Sequence, residues 1–323
     1  MQDVINPFIK IPSEQEITAR WPVDASEPLL SIRCITYNHV DYIEDAIRGF
    51  LIQETNFPFE VWIHDDASTD GTKEIIEKYQ KKYPKIIKTI LQKENQYSKG
   101  VKIGLILSQC CTGKYFAICE GDDYWISKDK LQDQVLSLEK NPKAGMAFHT
   151  AFKKSEADGS CKTIGVHTGS KIKYFSDILK AGGGGVPTAS IVYRADLDKK
   201  INSLKMYCPV GDLVVQHVST LFEYALYSDE VMSVYRTDVP GSWSQRKTTS
   251  SSRIAFQKKL LNYYDNLGKL CVEANKSTKD VKKRKLVVNL NGIKYAIKKL
   301  DVVYGGYCFY LLAVNSLKYF KNK

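Results

Sequence analysis

KYFAICEGDDYW, residues 114–125, runs from an apolar segment into three acidic side chains within four positions, Glu120, Asp122 and Asp123. A short apolar run bounded in this way reads as a buried strand whose end emerges at a polar loop. Clustered carboxylates there suit a hard cation, Mg²⁺ or Mn²⁺, which is commonly shared between a carboxylate or two and substrate phosphates. They equally suit a solvated turn that caps a helix starting near Ser127. The flanking sequence decides between the two.

From Leu29 the chain alternates two periodicities. LLSIRCIT (29–36) is strand-like, and a helix near 41–53 places Ile43, Ala46, Ile47 and Phe50 on one face. FEVWIH (59–64), a helix over 70–82, IIKTILQ (86–92) and a helix over 99–110 follow; beyond the acidic loop come a helix over 127–140 and the strand AGMAFH (144–149). This repetition predicts an α/β fold with a mostly parallel sheet covered by helices on both faces. Ligands of such sheets bind outside the carboxyl ends of the strands. Asp65 and Asp66 close the second strand as Glu120, Asp122 and Asp123 close the fourth. Two acidic strand ends over one cleft favour the cation. The loop after the first strand, TYNHVDY, has no glycine, which argues against dinucleotide-binding and P-loop chemistry.

The ordered stretches ITYNHVDYIEDAI (35–47), FEVWIHDDASTDGT (59–72) and KYFAICEGDDYW, followed by VGDLVVQ (210–216) and SDEVMSVYRTDVPGSWS (228–244), resemble the family 2 nucleotide-sugar glycosyltransferases of GT-A, Rossmann-like fold. The resemblance spans residues 29–245. It implies an inverting, metal-dependent transfer of a sugar from a nucleotide diphosphate donor, most commonly a UDP-sugar, to a hydroxyl of a glycan or lipid-linked acceptor in building a surface polysaccharide such as capsule or O-antigen. By matching position it implies that Thr36, Tyr37 and Asn38 border the nucleotide, with Tyr37 against the base and Asp65 or Asp66 accepting a hydrogen bond from it. The segment EGD stands where the family has D-x-D, so Asp122 is the expected ligand of Mg²⁺ or Mn²⁺, and Glu120 or Asp123 would orient ribose or bound water. Asp212 stands in the place of the general base, with Gly211 in place of the acid that often precedes it. Asp238 occupies a position where related sequences often carry a metal-binding His, and is either an alternative oxygen ligand or a sign that this ligand is absent.

Other residues carry two readings each. Lys99, beside Gly100 at the expected start of a helix, meets a phosphate or is a solvated lysine. Trp125 and Trp243 form a wall against an acceptor sugar or contribute core area. His39 and His64 lie at strand ends beside the cleft, as catalytic groups or packing residues; His149 reads as structural.

The net charge of +11 belongs to one end: residues 251–323 hold 16 Lys plus Arg against 4 Asp plus Glu, and the rest of the chain is nearly neutral. Leu and Ile recur at helical spacing there, so the expected organisation is an arm (1–28), a nucleotide-sugar-binding half (29–150), an acceptor-binding half (151–250) and a basic helical extension (251–323). Helices with lysines at their edges either pack with charged outer faces or lie on an anionic membrane surface. No nucleic-acid-binding module is recognisable, so nucleic acid is not an expected partner, although a basic tail admits that alternative. A nucleotide-sugar-binding protein without catalysis is the other alternative, because Gly211 and Asp238 depart from the pattern. The eight cysteines form no C-x-x-C, and Cys34 and Cys119 sit in apolar runs, which points to reduced thiols. The start MQDVINPFIKIPSEQE has no basic segment followed by an apolar core, so the expected location is the cytoplasm, with peripheral attachment to the inner face of the membrane where the tail binds lipid.

Overall fold

The structure is a computed structural model that describes residues 10–23, 27–221, 223–240, 242 and 249–321. The chain divides into two compact units, Met1–Asn202 with Val215–Gln245 and Ser203–Val214 with Arg246–Lys323. The second unit therefore holds a short segment that the sequence alone assigns to the acceptor half.

In the first unit β1 (Leu30–Thr36), β2 (Phe59–Asp65), β3 (Ile87–Leu91) and β4 (Tyr115–Ile118) are parallel neighbours in the order β3-β2-β1-β4. The sheet continues through a strand whose start, AGMAFH, the sequence predicts and through others that it signals weakly or not at all. β5 (Tyr124–Trp125), β6 (Ala144–Ser155), β9 (Val192–Arg194) and β10 (Tyr224–Thr237) extend it as β4-β9-β6-β10-β5, with β6 and β10 parallel and β9 and β5 antiparallel to their neighbours. β7 (Cys161–Ile164) pairs with β6 and β8 (Ile172–Tyr174) with β10. The run GGGG (182–185) contains a 3₁₀ turn at Gly182–Gly184, and PTASIVYR (187–194) gives a second such turn at Thr188–Ser190 before β9.

The short helix α1 (Glu14–Thr18) is closed by a capping box between Ser13 and Glu16. On α2 (Ile43–Leu51) the predicted apolar face, Ile43, Ala46, Ile47 and Phe50, is fully buried. Each large apolar side chain buried this way contributes about 1.5–3 kcal/mol. α3 (Thr72–Lys82) starts two residues later than the sequence suggests, because the Asp70 carboxylate accepts from the Thr72 amide and hydroxyl and Gly71 turns the chain at φ 105°. α4 (Ile103–Cys110) starts four residues late, since residues 95–100 form turns instead. α5 (Lys130–Lys140), α6 (Phe175–Ala181), α7 (Asp198–Lys205) and α8 (Gly211–Leu221) complete the elements before β10.

Two close contacts lock this sheet. Arg33, buried within β1, donates to both Asp198 oxygens at 2.9 and 3.3 Å and to Tyr193 Oη at 2.8 Å, with its guanidinium 3.6 Å from the Phe116 ring centre. Paired with both carboxylate oxygens, the buried guanidinium is charge-compensated, although its Nε has no hydrogen-bond partner. At Gly145 in β6 an added Cβ would lie 1.9 Å from the Ser219 carbonyl of α8, so only glycine allows the approach.

The second unit is helical: α9 (Ser250–Glu273), α10 (Lys279–Lys299) and α11 (Val302–Lys321). Ile293, Ala296, Tyr304 and Cys308 form its apolar cluster, and the buried Gln257 side chain donates to Asn289 at 2.9 Å while accepting from Tyr304 Oη at 2.7 Å. All eight cysteines are free thiols.

Candidate active site

The carboxyl ends of β1, β2 and β4 meet. The Asp66 amide donates to the Thr36 carbonyl at 3.0 Å and the Gly121 amide to the Ile35 carbonyl at 2.9 Å, so parallel pairing continues one step past the strands and sets the three loops side by side. Side chains then stitch the first two loops. Asn38, at φ 55°, donates its amide to Ser68 Oγ at 2.8 Å and accepts from the Thr69 amide at 2.9 Å; the Val40 amide reaches Asp70 at 3.0 Å. This leaves Tyr37 exposed.

The paired acids of β2 do different work. Asp65 is fully buried and accepts from the Ser68 amide at 3.0 Å and from its hydroxyl. Asp66 accepts from the Gln96 amide at 2.7 Å and the Tyr97 amide at 3.0 Å, so its carboxylate organises the loop after β3. A carboxylate oxygen has lone pairs to spare beyond one such bond, so both acids retain acceptor capacity.

In the β4 loop, Glu120 is exposed and Asp122 partly buried. Asp123 is buried; one oxygen accepts from the Arg236 amide at 2.9 Å and the other has no hydrogen-bond partner. Burial, then the charges of Asp122 and Glu120, pushes the Asp123 carboxyl well above its usual range. Arg236, at the end of β10, has no role in the expectations drawn above. It donates to the Asp122 carbonyl at 3.0 Å and to Glu156 at 3.1 Å, pairs with Asp45 and lies over the Tyr124 ring at 4.2 Å. An arginine inside the apolar alternation VMSVYRT was the available signal, since a charge in a buried strand requires partners.

His39 stands between the loops. Its Nδ1 is 3.1 Å from Thr36 Oγ1 and its Nε2 is 3.9 Å from Asp122 Oδ2. Burial lowers its pKa despite the opposing pull of Asp122, Asp70 and Asp65, so the ring is neutral at neutral pH.

Three expected site residues lie elsewhere. Trp125 is fully buried, donates Nε1–H to the Ala189 carbonyl at 2.8 Å and packs edge-on to Phe50, which makes it a core residue and not an acceptor wall. Lys99 lies on the turn before α4 and not at a helix start, and its ammonium is taken by Glu94. Asp238, exposed at φ 64°, accepts from Ser155 Oγ at 2.8 Å and, among the described residues, belongs to no group of three metal-ligating side chains. Asp212 lies in the first turn of α8, within the second unit. Trp243 falls outside the described residues.

The donor set fits a divalent cation in one mode. Among the described residues no three His, Cys, Asp or Glu side chains gather as an all-protein cage. Asp122 is a partly buried oxygen donor beside a neutral imidazole, and the unpartnered Asp123 oxygen lies in the same loop. That suits an ion held jointly with substrate oxygens.

A mostly parallel α/β sheet flanked by helices, with carboxylates gathered at the ends of β2 and β4 beside the loop after β1, has the GT-A fold. Residues 31–200 match the family described as Glycosyl transferase family 2, and the chain belongs to that family. An uncharacterized Mycobacterium tuberculosis protein is 33% identical over 229 residues, 68% of this chain and 62% of that protein. A Bacillus subtilis protein named as the teichuronic acid biosynthesis glycosyltransferase TuaG is 33% identical over 155 residues, 48% of this chain and 58% of its own length. The chain thus spans about three fifths of the curated relatives that it matches. Staphylococcus aureus TarS 1–349, solved in complex with UDP-GlcNAc, superposes with a TM-score of 0.57 at 16% identity over 80% of this chain and 71% of that one, which supports the fold.

Proposed function

We propose that this protein is an inverting, divalent-cation-dependent glycosyltransferase that moves a sugar from a nucleoside diphosphate donor, a UDP-sugar first among them, to a hydroxyl of a glycan or lipid-linked acceptor in surface polysaccharide synthesis. The observation that supports it is the convergence of the Thr36, Asp66 and Asp122 loops on one cleft. The teichuronic acid role in the name of one relative and the UDP-GlcNAc bound to one structural neighbour agree with it.

In this reading Tyr37 borders the base, Asp65 or Asp66 accepts from its ring N–H, and Asp122 holds the cation, with Glu120 and Asp123 at the ribose side. A divalent cation bound with the donor would offset the charge left on the diphosphate. Arg236 fixes the backbone that carries Asp122 and Asp123. Asp212 takes the proton of the attacking hydroxyl, a role that needs a carboxylate within hydrogen-bond reach on the face opposite the leaving group and so inverts the anomeric centre.

Exposed apolar side chains on α10 and α11, Ile297, Leu300, Val302, Val303, Phe309 and Tyr310, lie near exposed Lys294, Lys298 and Lys299. Among the described residues no helix is long and apolar enough to cross a membrane. Attachment of this unit to an anionic lipid surface from one side is the membrane partnership that we propose.

Titration with UDP, GDP and dTDP sugars in the presence of Mn²⁺ or Mg²⁺ tests the central reading. Asp122→Asn should lose cation-dependent donor binding. Asp212→Asn should keep it and lose transfer by about 10²-fold or more. Full turnover by the Asp212 variant would remove that residue from the mechanism, and absence of any nucleotide-sugar binding would remove the reading.

A further inference from the structure

Asp238, the residue in the place of the late metal-binding His, accepts from Ser155 and, among the described residues, belongs to no group of three metal-ligating side chains. We infer that His39, through Nε2, is the second protein ligand of the cation held at Asp122, an inference that rests on the function proposed above.

Nδ1 of His39 faces Thr36 Oγ1 at 3.1 Å. With Nδ1–H donating to that oxygen, the Nε2 lone pair is free, and metal-binding histidines regularly use one ring nitrogen for the metal and the other for an oxygen partner. Nε2 lies 3.9 Å from Asp122 Oδ2, beyond hydrogen-bond range. It is slightly less than two metal–ligand bonds of about 2.1 Å laid end to end. One ion therefore reaches both atoms from between them. The geometry is fixed from below: a Cβ on Gly121 would meet Thr36 Oγ1 at 2.5 Å and His39 Nδ1 at 3.1 Å, so the E-G-D backbone is pressed against the Thr36–His39 pair. The His39 amide donates to Thr72 Oγ1 at 2.8 Å, which anchors the residue at its other end.

A nitrogen donor has a consequence for metal choice. Mg²⁺ takes oxygen ligands, whereas imidazole suits transition metals. Between the two cations considered, the Asp122–His39 pair would favour Mn²⁺ over Mg²⁺.

The test is pulsed electron paramagnetic resonance of the full chain with Mn²⁺ and UDP, GDP or dTDP in turn. The expected spectrum carries nitrogen modulation that changes when the protein is labelled with ¹⁵N-histidine. In His39→Gln, checked for an unchanged melting curve, that signal disappears and Mn²⁺ affinity falls by at least about tenfold, while Mg²⁺ affinity changes far less. The labelled wild type answers independently of any variant. Mn²⁺ and nucleotide bound with no histidine coupling would overturn the inference and leave the proposed function standing. Coupling that persists in His39→Gln would also overturn it. No binding of any nucleotide with Mn²⁺ would remove both.

Discussion

At Gly121 the chain has no room for a side chain, because a methyl there would sit 2.6 Å from Thr36 Cβ. The obstacle is the end of a central strand, so the acidic loop and not the strand must move. Gly121→Ala is expected to cost about 1–3 kcal/mol in stability and to weaken nucleotide binding at least about tenfold, as read by calorimetry with Mn²⁺ present. Lys130 offers a second test. It is fully buried, donates to Gln134 at 2.8 Å, lies 4.0 Å from the Trp125 ring centre, and burial pulls its pKa from 10.5 down to about 7. The folded chain thus releases this proton at lower pH than the unfolded chain, so Lys130 makes stability rise from about pH 7 towards 10.5 and contributes no further change below pH 7, where both states are protonated. Relative to Lys130→Met, wild type should gain up to about 1.4 kcal/mol per pH unit between pH 7 and 9 in urea unfolding; parallel curves would contradict this. At this scale Asp65, Asp66 and Asp122 were legible because acids at strand ends stand out against apolar runs. The place of His39 was not, since Thr36 and Asp122 meet it only in space. Arg236 was missed for the same reason: its partners Asp45, Asp122, Asp123 and Glu156 lie 80 or more positions away.

Elements with long, regular periodicity were readable and those set by contacts were not. The four parallel strands and the helices between them follow their apolar spacing to within a few residues at the ends. β5 has two residues and β9 three, too short to show alternation, and each exists because a neighbour offers a free edge. The displaced start of α4 has a similar cause, since Asp66 draws residues 96 and 97 into a turn. Where two elements approach as closely as β6 and α8 at Gly145, substitution acts on both. Gly145→Ala should cost more than about 3 kcal/mol, since the obstacle at 1.9 Å is helix backbone with no rotamer to yield. Chemical denaturation checks this, and a loss under about 1 kcal/mol would mean that β6 and α8 can separate freely.

For the molecule as a whole, charge is divided as sharply as structure. The basic residues concentrate beyond residue 250, where α10 and α11 leave apolar side chains exposed, while the carboxylate cleft belongs to the other unit. If the tail serves an anionic surface, the full chain should co-sediment with phosphatidylserine vesicles, less at high salt, and Lys298→Glu with Lys299→Glu should weaken this by at least about 1 kcal/mol per lysine. Equal sedimentation with neutral vesicles would speak against it. Sequence alone reveals the charge gradient but not the grouping of residues 203–214 with the helical unit, because that grouping follows from packing and carries no compositional mark.

Arg236 also orders events during synthesis. The brace arrives more than a hundred residues after Asp123 in the order of synthesis. A nascent polypeptide that has passed residue 200 already contains the whole family-matched stretch but not β10, so the Asp123 carboxylate has neither its amide donor nor a strand to cover it. Until translation supplies that strand, the floor of the cleft is open, and fragments ending there should be prey for proteases and clients for chaperones.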